Sequence, residues 1–455
     1  MIPVLTPAES AALDAASSEP LEVLVQRAGR AVATAAVRLL GGTYGRRVVV
    51  VAGPGNNGAD GRVAAELLAR RGVRVRVLEA ADVAVAGARL EPSDLVIDAA
   101  FGTGLRSEVE FPDVDGAPVL AVDIPSGIDG LTGAVRGTPP RAVATVTFVA
   151  PAPGLLLGEG PAHAGEVLVA DIGLDPREAR IWLVNDADVA AWVPGRRLDD
   201  HKWRHAVWLI AGSDGMRGAG RLCAAAAMRG GAGYVRCASP DGTADAPGEA
   251  VGVELSPASW AADVVEGAHR FACLAIGPGL GRDAEVAEGI RAVVRDAPVP
   301  VVVDGDGLSA LGRDVAHVLT GRGAPTVLTP HDGEFEALTG AAPGADRVDA
   351  ARGLAASTGA VVLLKGPTTV VAAPDGDALL VRAGDARLAT AGTGDVLTGL
   401  VAAHLALGAG PARAAAAAAH LHGRAASLGS SRSLVASDLP DLIARAWDQL
   451  GAGER

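Results

Sequence analysis

AGTGDVLTGL, which spans Ala391 to Leu400, decides the fold of the second half of this chain. Gly392, Thr393 and Gly394 are predicted to turn several backbone N–H groups in one direction at the start of an apolar helix, an arrangement that binds phosphate. Asp395 then falls in the first turn. A carboxylate in an anion pocket costs electrostatic energy, so its position indicates proton abstraction beside a phosphoryl group. The alternative is an ordinary glycine-rich helix entry, in which Asp395 only interacts with the helix dipole.

A second glycine-containing loop, KGPTT, precedes this segment and spans Lys365 to Thr369. The chain has 40 Lys and Arg residues, of which only Lys202 and Lys365 are Lys. A lysine kept inside this loop, in a chain that otherwise uses arginine, favours a nucleotide loop. Together the two segments predict a phosphate site in the second half.

The composition limits the class of protein. The chain has 455 residues, of which 49% are hydrophobic but only 3% aromatic, so Ala, Val and Leu fill its cores. This length predicts two domains. The net charge of −13 argues against a nucleic-acid partner. Three cysteines without a C-x-x-C pair, and an N-terminus without a basic start or apolar core, predict a cytoplasmic protein. No apolar run is long enough to span a membrane, so no membrane partner is expected.

Strand-like and helical runs alternate in both halves, which predicts an α/β fold with parallel sheets covered on both faces. The segment 193–205 interrupts the apolar pattern with Pro, Gly and charges. We therefore predict domains at 1–195 and 200–455, the first with a Rossmann-like, doubly wound parallel sheet. Ligands are expected beyond the carboxyl ends of the strands. The strands are predicted at 46–52, 73–79, 93–100 and 118–124, and then at 206–212, 271–277, 299–305, 325–330 and 360–366.

GPGNNGADG, from Gly53 to Gly61, follows the first predicted strand and satisfies the G-x-G-x-x-G pattern of dinucleotide-binding loops. The pattern alone is weak support for a dehydrogenase. Asn56, Asn57 and Asp60 place polar side chains where an ordinary pyrophosphate loop needs only backbone. The loop is therefore expected to make side-chain contacts of its own.

Three oxygen-bearing side chains follow successive strands of the first half, namely Asn57, Asp98 and Ser126. Oxygen ligands suit a hard cation rather than zinc. Each residue alone fits ordinary turn chemistry. Their joint position at three strand ends favours a cation site.

Several of these stretches resemble one family. GPGNNGADG, DAAFGTG (98–104) and AVDIPSGIDG (121–130) resemble the N-terminal epimerase domain of the bifunctional NAD(P)H-hydrate repair enzymes. Five stretches of the second half resemble their ADP-dependent dehydratase domain, which is ribokinase-like: KGPTT, AGTGDVLTG, GPGLG (277–281), TPHDGE (329–334) and GSDGMRGA (212–219). The resemblance covers nearly the whole chain in family order. It implies a ribokinase-like α/β domain for residues 200–455.

The resemblance also implies the residues of each site. Potassium would be held by Asn57, Asp98 and Ser126. In the first half the hydrated nucleotide would contact Asp123 and two stretches: Asn56, Asn57, Gly58, Ala59 and Asp60, then Gly102, Thr103, Gly104, Leu105, Arg106, Ser107 and Glu108. In the second half ADP would contact Lys365, Gly366, Pro367, Thr368, Thr369 and Gly394. The hydrated nicotinamide nucleotide would contact Ala219, Gly279, His331 and Asp395.

The implied activity is the repair of NADH and NADPH that have added water across the C5–C6 double bond of the dihydronicotinamide ring. The epimerase interconverts the R and S hydrates, and the dehydratase returns the S hydrate to NAD(P)H while ADP yields AMP and phosphate. Asp395 would deprotonate the ring hydroxyl, as the equivalent Asp does in sugar kinases, and Asp123 would accept a proton in the first half. ADP and potassium are the expected co-substrate and cofactor. A homo-oligomer is expected.

Three departures from the family pattern bear on these sites. Ala59 stands where the family usually has Gly, so the loop would be strained if that position needs a positive φ. HKWRHA places Trp203 at a usually glycine-rich entry to the second domain, which puts backbone contacts there in doubt. Asp332 replaces a usual Pro and adds negative charge beside His331.

Other interpretations stay open. Asp304 and Asp306 in VVVDGDGL either bind magnesium or cap a turn, and His331 alternatively only bonds backbone. The second half is alternatively a ribokinase-like small-molecule kinase with an N-terminal nucleotide-binding module. The first half is alternatively a non-catalytic module for adenosyl ligands or RNA, although the acidic charge speaks against RNA. His420 and His422 are expected to be structural.

Overall fold

The computed structural model describes residues 1–83, 85, 87–242 and 245–452. The chain divides into two compact units, a first unit of Ile2–Ile181 and a second unit of Trp182–Arg455. The division lies earlier in the chain than the predicted boundary segment 193–205. Residues 453–455 of the predicted second domain lie outside the described residues.

Packing explains why the division falls at Trp182. Val184, Val189 and Val193 are buried in the main core of the second unit. The Val184 N–H donates to the Leu380 carbonyl at 3.0 Å. Residues 182–193 are therefore part of the second unit, and the charged segment that follows them is a surface connection inside that unit.

The first unit contains short and long strands around one main sheet. Its strands are β1 (Ile2–Val4), β2 (Arg47–Ala52), β3 (Arg74–Glu79), β4 (Leu95–Ala99), β5 (Val109–Glu110), β6 (Val119–Val122), β7 (Gly137–Thr138), β8 (Ala144–Phe148) and β9 (Glu166–Ala170). Its helices are α1 (Pro7–Ala16), α2 (Leu21–Leu40), α3 (Asn56–Arg70), α4 (Ala80–Val83) and α5 (Gly160–Ala164).

The main sheet of the first unit has the order β3–β2–β4–β6–β8–β9, and all its neighbouring strands are parallel. The chain passes from β2 to β3 on one side and then to β4 on the other, so the strand order reverses between β2 and β4. Such a switch point opens a crevice at the carboxyl ends of the two strands. The prediction of a Rossmann-like, doubly wound sheet is confirmed.

Alternation along β2 shows why this sheet is covered on both faces. Val48, Val50 and Ala52 belong to one buried cluster, and Val49 and Val51 belong to another. Successive strand residues point to opposite faces, so an unbroken run of apolar residues needs packing on both sides. The valine run predicted as the first strand is therefore central to the unit.

The second unit is larger, and β10 (Ile181–Leu183) spans its start. Its further strands are β11 (Ala206–Ile210), β12 (Tyr234–Ser239), β13 (Val251–Glu254), β14 (Cys273–Ile276), β15 (Val301–Val303), β16 (Thr326–Leu328), β17 (Val361–Leu364), β18 (Thr369–Ala372) and β19 (Ala378–Val381). Its helices are α6 (Asp186–Trp192), α7 (Arg217–Arg229), α8 (Trp260–Gly267), α9 (Ala284–Asp296), α10 (Asp306–Leu311), α11 (Val315–Leu319), α12 (Asp332–Thr339), α13 (Arg347–Thr358), α14 (Thr393–Ala406), α15 (Pro411–Leu428) and α16 (Leu439–Ala452).

Its sheet runs β19–β18–β17–β16–β15–β14–β11–β12–β13. The strands from β13 to β17 are parallel, as predicted, but β18 pairs antiparallel with both β17 and β19. The exception has a local cause. A short turn at Asp375–Gly376 joins β18 to β19, and so short a connection can only join antiparallel strands. The strand order reverses between β11 and β14, which places a second crevice there.

Small residues allow the helices of the second unit to pack closely. The run Ala414–Ala419 of α15 is buried. A Cβ atom at Gly399 of α14 would lie 2.1 Å from the carbonyl oxygen of Cys223 in α7. Helices α7 and α14 therefore approach at a distance that only glycine permits at position 399. Among the described residues, none of the helices combines the length and apolar character that a bilayer crossing requires.

Candidate active sites

The loop after β2 shapes the first site. A Cβ atom at Gly58 would lie 1.9 Å from the Gly53 carbonyl oxygen, so only glycine fits where α3 begins against the loop. Ala59 lies inside α3 and is absent from the described non-glycine residues with a positive φ. The strain foreseen for Ala59 therefore does not arise, because the close approach falls on Gly58 instead.

Asp98 and Ser126 form a buried pair at the ends of neighbouring strands. The Ser126 hydroxyl donates to Asp98 Oδ1 at 2.6 Å, and the Ser126 N–H donates to Oδ2 at 2.7 Å. The Ser126 oxygen also accepts the Phe101 N–H at 2.9 Å. Burial raises the pKa of Asp98 to about 6, although the Ser126 hydrogen bonds oppose the shift. The two predicted ligands are thus brought together.

The side chain of Asn57 shows whether the predicted ligands fit a cation. Its side-chain oxygen and nitrogen are both buried, and neither has a hydrogen-bond partner among the described residues. Asn57 flanks Gly102, since a Cβ at that glycine would lie 3.7 Å from the Asn57 Cβ. An orphaned amide oxygen next to the turn that holds Asp98 and Ser126 is a donor set that fits potassium. Among the described residues, no group of three or more His, Cys, Asp and Glu side chains could hold a metal ion, so the proposed donor set relies on the Asn57 and Ser126 oxygens as well as Asp98.

Asp123 lies at the end of β6 in a conformation that is unusual for a residue with a side chain. Its φ is 67°, in the left-handed region. The Thr103 N–H donates to its Oδ2 at 3.1 Å, and the Thr147 hydroxyl lies 3.4 Å from its Oδ1. Burial raises the pKa of Asp123, while the two threonines oppose that rise. The backbone twist directs this carboxylate toward the Gly102–Thr103 turn.

Asn57 and Asp123 line one cavity of about 640 Å³, whereas Asp98 and Ser126 are not among its lining residues. Most of the predicted substrate residues line it, but Gly58, Ala59 and Glu108 do not. Gly58 and Ala59 contribute backbone shape to α3 rather than a cavity surface. The lining residues from the prediction are Asn56, Asn57, Asp60, Gly102, Thr103, Gly104, Leu105, Arg106, Ser107 and Asp123.

The cavity also contains a residue that sequence reasoning missed. Asp14, from α1, lines the same wall as Asp60. Burial raises the pKa of Asp60 to about 8, and the charges of Asp123 and Asp14 add to the shift. No local motif marks Asp14, because α1 is an ordinary capped helix in sequence. Three carboxyl groups, those of Asp14, Asp60 and Asp123, therefore line the first cavity.

A cavity of about 900 Å³ forms the second site. It gathers all four residues predicted to contact the hydrated nucleotide, namely Ala219, Gly279, His331 and Asp395. A Cβ at Gly279, whose φ is 63°, would lie 2.9 Å from the Ala219 Cβ. The loops after β11 and β14 therefore meet at the switch point of the sheet, as the fold requires.

Asp304 is buried beside Gly394 and accepts three side-chain hydrogen bonds. Its Oδ1 accepts from Lys365 Nζ at 2.6 Å and from the Thr329 hydroxyl at 2.8 Å. Its Oδ2 accepts from the Thr398 hydroxyl at 2.8 Å. Asp306 instead accepts the Gly281 N–H at 2.8 Å and begins α10. Asp304 thus ties three strand ends to α14, a role neither of the alternatives for it had foreseen.

Asp395 lies in the first turn of α14 and faces the cavity. Burial raises its pKa to about 6, the charges of Asp304 and Asp306 add to the shift, and Lys365 opposes it. A carboxylate whose pKa lies near neutral pH can both accept and return a proton. The predicted general base therefore has a suitable position and a suitable environment.

The helix start differs in one detail from the prediction. The Thr393 N–H donates to the Thr390 carbonyl at 3.3 Å, so it does not point at a ligand. The amides of Gly394 and Asp395 lie in the first turn, where no acceptor exists within the helix. Gly392 has a φ of 87°, which turns the chain into α14. The amides of Gly394 and Asp395 are therefore the candidates for anion binding in this turn.

The nucleotide loop connects β17 to β18. Lys365 follows β17, Gly366 and Pro367 are exposed, Thr368 is buried, and Thr369 begins β18. A Cβ at Gly394 would lie 3.6 Å from Lys365 Nζ, so the loop and the start of α14 are neighbours. The structure brings the six predicted ADP residues to one edge of the sheet.

His331 bonds backbone, which is the structural alternative given above, and it also lines the cavity. Its Nδ1 accepts the N–H groups of Gly333 at 3.0 Å and Glu334 at 3.2 Å, which caps α12. A side chain that caps a helix through Nδ1 leaves Nε2 for a ligand. That nitrogen lies 3.5 Å from a Glu334 oxygen.

The other departures lie in defined places. Trp203 packs against Tyr234, with ring centres 4.3 Å apart. Trp203 precedes the amino end of β11, so it lies at the sheet edge opposite the site. Asp332 pairs with Arg347 at 2.8 Å, so its added charge is compensated.

His420 pairs with Asp186 at 2.6 Å. Burial lowers the pKa of His422 to about 4.

Comparison with known proteins bears on both units. A family model described as NAD(P)H-hydrate dehydratase matches residues 207–448, and one described as YjeF-related protein N-terminus matches 21–86 and 81–154. A bifunctional NAD(P)H-hydrate repair enzyme of Salinibacter ruber is 38% identical over 100% of this chain and 98% of its own length. The chain belongs to the bifunctional NAD(P)H-hydrate repair enzyme family. A member from Mycobacterium tuberculosis is 42% identical over 88% of each chain.

Solved structures match the second unit. An ADP/ATP-dependent NAD(P)H-hydrate dehydratase from Bacillus subtilis, co-crystallised with ATP and Mg²⁺, is 31% identical with a TM-score of 0.52, and covers 59% of this chain and 98% of that one. A ribokinase-like superfamily protein from Enterococcus faecalis has a TM-score of 0.51 at 21% identity, over 59% of this chain and 96% of that one. The ribokinase-like fold expected for the second half is confirmed.

Proposed function

We propose that the first unit interconverts the R and S hydrates of NADH and NADPH, and that the second dehydrates the S hydrate with ADP as phosphoryl donor. The observation that carries the proposal is the position of Asp395. It shares one cavity with Ala219, Gly279 and His331, and it adjoins the nucleotide loop through Gly394. A base between a substrate cavity and a phosphate loop suits phosphoryl transfer to a hydroxyl.

In the second unit, ionised Asp395 accepts the proton of the ring hydroxyl. The hydroxyl oxygen then attacks the β-phosphorus of ADP, and the bond from that phosphorus to the bridging oxygen breaks, which releases AMP. Phosphate next leaves C6 while C5 loses a proton, and the C5–C6 double bond returns. The amides of Gly394 and Asp395 would stabilise the charge that develops on the phosphoryl group. Magnesium supports such transfers by neutralising phosphate charge.

In the first unit, Asp123 serves as proton acceptor during epimerisation, held by Thr103 and Thr147. Asn57, Asp98 and Ser126 would hold potassium. The bound cation would supply positive charge that orients the substrate phosphate or the Asp123 carboxylate. The orphaned amide of Asn57 supports this assignment.

We also propose a cytoplasmic location. The three cysteines are free and buried, and burial raises the pKa of Cys237 to about 12, which fits unreactive thiols in a reducing compartment. The homo-oligomer expected from the sequence stays a prediction.

The test is to incubate mixed hydrate epimers with the protein, ADP, Mg²⁺ and K⁺. Absorbance of reduced nicotinamide should recover completely, with one AMP and one phosphate released per molecule restored. Recovery of only half would contradict an active epimerase. Accumulation of a stable phosphorylated small molecule with ATP would favour the small-molecule kinase instead.

A further inference from the structure

Arg347, the first residue of α13, contacts two neighbouring segments of the second unit, the start of α12 and the nucleotide loop. Its Nη1 donates to Asp332 Oδ2 at 3.0 Å, and its Nη2 lies 2.8 Å from Asp332 Oδ1. The same Nη2 donates to the Lys365 carbonyl at 2.7 Å. The Arg347 side chain is only 15% exposed. One guanidinium therefore joins a carboxylate of α12 to the backbone of the nucleotide loop.

The two partners of Arg347 serve different ligands. Asp332 opens α12, whose first turn lines the hydrate cavity through His331 and Glu334. Lys365 opens the nucleotide loop. Its N–H donates to the Pro330 carbonyl at 2.8 Å, and its ammonium is held by Asp304. Arg347 binds the remaining polar group of this residue, the carbonyl, so the loop leaves β17 with every polar atom of Lys365 engaged.

The next residue of the loop packs directly on the guanidinium. A Cβ at Gly366 would lie 2.9 Å from Arg347 Nη2 and 3.3 Å from its Cζ. Pro367 follows and has no N–H to donate. The path of the loop at this point is therefore set by the Arg347 side chain rather than by a backbone ladder.

We propose that Arg347 is a positioning residue for the nucleotide loop and that Asp332 holds Arg347 in the required orientation. The proposal rests on the function proposed above, in which this loop contacts ADP. Loss of the Arg347 contact releases the loop, so ADP binds more weakly, whereas the Lys365 ammonium beside Asp395 stays held by Asp304. The effect then appears in the KM for ADP and not in kcat.

Four full-length variants test the proposal: Arg347→Met, Asp332→Asn, the exchange Asp332→Arg with Arg347→Asp, and the control Arg229→Met. The control breaks the exposed pair of Arg229 and Asp441, which are 2.6 Å apart in the same unit. Calorimetry with ADP and Mg²⁺ gives Kd, and steady-state dehydration gives KM and kcat.

Arg347→Met should raise the Kd and KM for ADP about tenfold, the effect expected for a lost hydrogen bond from a charged group, with kcat within about twofold. Asp332→Asn should raise the Kd and KM for ADP by a smaller factor, and Arg229→Met should leave the Kd and KM for ADP unchanged. The exchange variant regains an ion pair but gives the Lys365 carbonyl no donor from α13. Its Kd should therefore stay raised, whereas a merely structural ion pair predicts recovery.

Hydrogen–deuterium exchange without ligand separates this proposal from the proposed function. Amides of residues 366–369 should exchange faster in Arg347→Met than in the wild type. Unchanged exchange, an unchanged ADP Kd, or recovery in the exchange variant overturns the role of Arg347. Wild-type protein that fails to bind ADP while the exchange difference persists overturns the proposed nucleotide, and leaves the positioning role supported.

Discussion

The Lys365 ammonium donates to Asp304 Oδ1 at 2.6 Å, so the cation of the nucleotide loop is already paired inside the protein. Burial lowers the pKa of Lys365, but the carboxylates of Asp304 and Glu334 more than offset that effect, and the pKa is raised overall. The lysine that marked the loop in the sequence is thus also a structural anchor. Phosphate binding in this unit depends correspondingly more on backbone amides.

Lys365→Met is expected to destabilise the second unit by about 3 to 5 kcal/mol, because Asp304 would be left buried without a cation. The double variant Lys365→Met with Asp304→Asn should recover part of this loss. Urea unfolding followed by tryptophan fluorescence measures both. A single variant as stable as the wild type would show that the pair is not important for the fold.

Asp395→Asn should leave ADP binding intact, because shape and the amides of α14 are preserved. Dehydration should fall by a factor on the order of a hundred or more, since the proton acceptor is lost. Epimerisation, assayed by separation of the R and S hydrates, should be unchanged. If Asp395 only caps α14, Asn would replace it with little cost and dehydration would survive.

The pH dependence of dehydration should follow Asp395. With a pKa of about 6, its ionised fraction falls about tenfold per unit below that pH, and kcat/KM should fall in parallel. Phosphate release is a suitable readout, because reduced nicotinamides decay in acid. A flat profile down to pH 5 would contradict the role of Asp395 as base.

The same shift has a consequence for stability. The folded-state pKa of Asp395 lies above the ordinary value of 3.8, so ionisation of this group destabilises the folded protein. Protonated Asp395 therefore contributes to the free energy of unfolding at low pH, and this contribution is lost as pH rises through about 4 to 6. Asp395→Asn should therefore melt no lower than the wild type at pH 7, and its relative advantage should shrink toward pH 4.

Asp98→Asn should raise the potassium concentration needed for epimerisation, because it removes the only formal charge among the three proposed ligands. Dehydration serves as the internal control and should not change. Ser126→Ala, which removes one neutral ligand, should have a smaller effect on the potassium requirement. Full epimerisation by the wild type in potassium-free buffer would refute the cation assignment.

A fragment that begins at residue 179 should be more stable than one that begins at residue 200. The shorter fragment lacks β10 and α6 and uncovers the core that Val184, Val189 and Val193 fill. Burial of three such side chains corresponds to about 5 kcal/mol. Equal melting temperatures would show that residues 182–193 do not contribute to this core. Both fragments should dehydrate one hydrate epimer only.

The local features of this molecule could be predicted from the sequence. Glycine loops after apolar strands place Asn57 and Gly279 just beyond strand ends, since parallel strands end at one edge and apolar runs mark the strands. The Asp375–Gly376 pair between two apolar runs is also a hairpin signal in the sequence.

Long-range features could not be predicted in the same way. Asp304, Lys365 and Thr398 meet only because the sheet brings three distant segments together, and nothing in their local sequence states that pairing. The Arg347 contact depends likewise on how α13 packs against β17 and β18, which brings its first residue to Asp332 and Lys365. The compact units divide earlier than the charged segment 193–205, because Val184, Val189 and Val193 pack into the core of the second unit, and their apolar spacing is a weaker signal than Pro, Gly and charges.

The covalent connection of the two units has a consequence for the cell. Each copy of the chain delivers one unit of either kind, so translation fixes their molar ratio at one to one. Changes in promoter strength or messenger stability raise or lower both together. Any shift in the balance between the two proposed reactions must therefore come from their turnover rates and from local concentrations of nucleotide and cation.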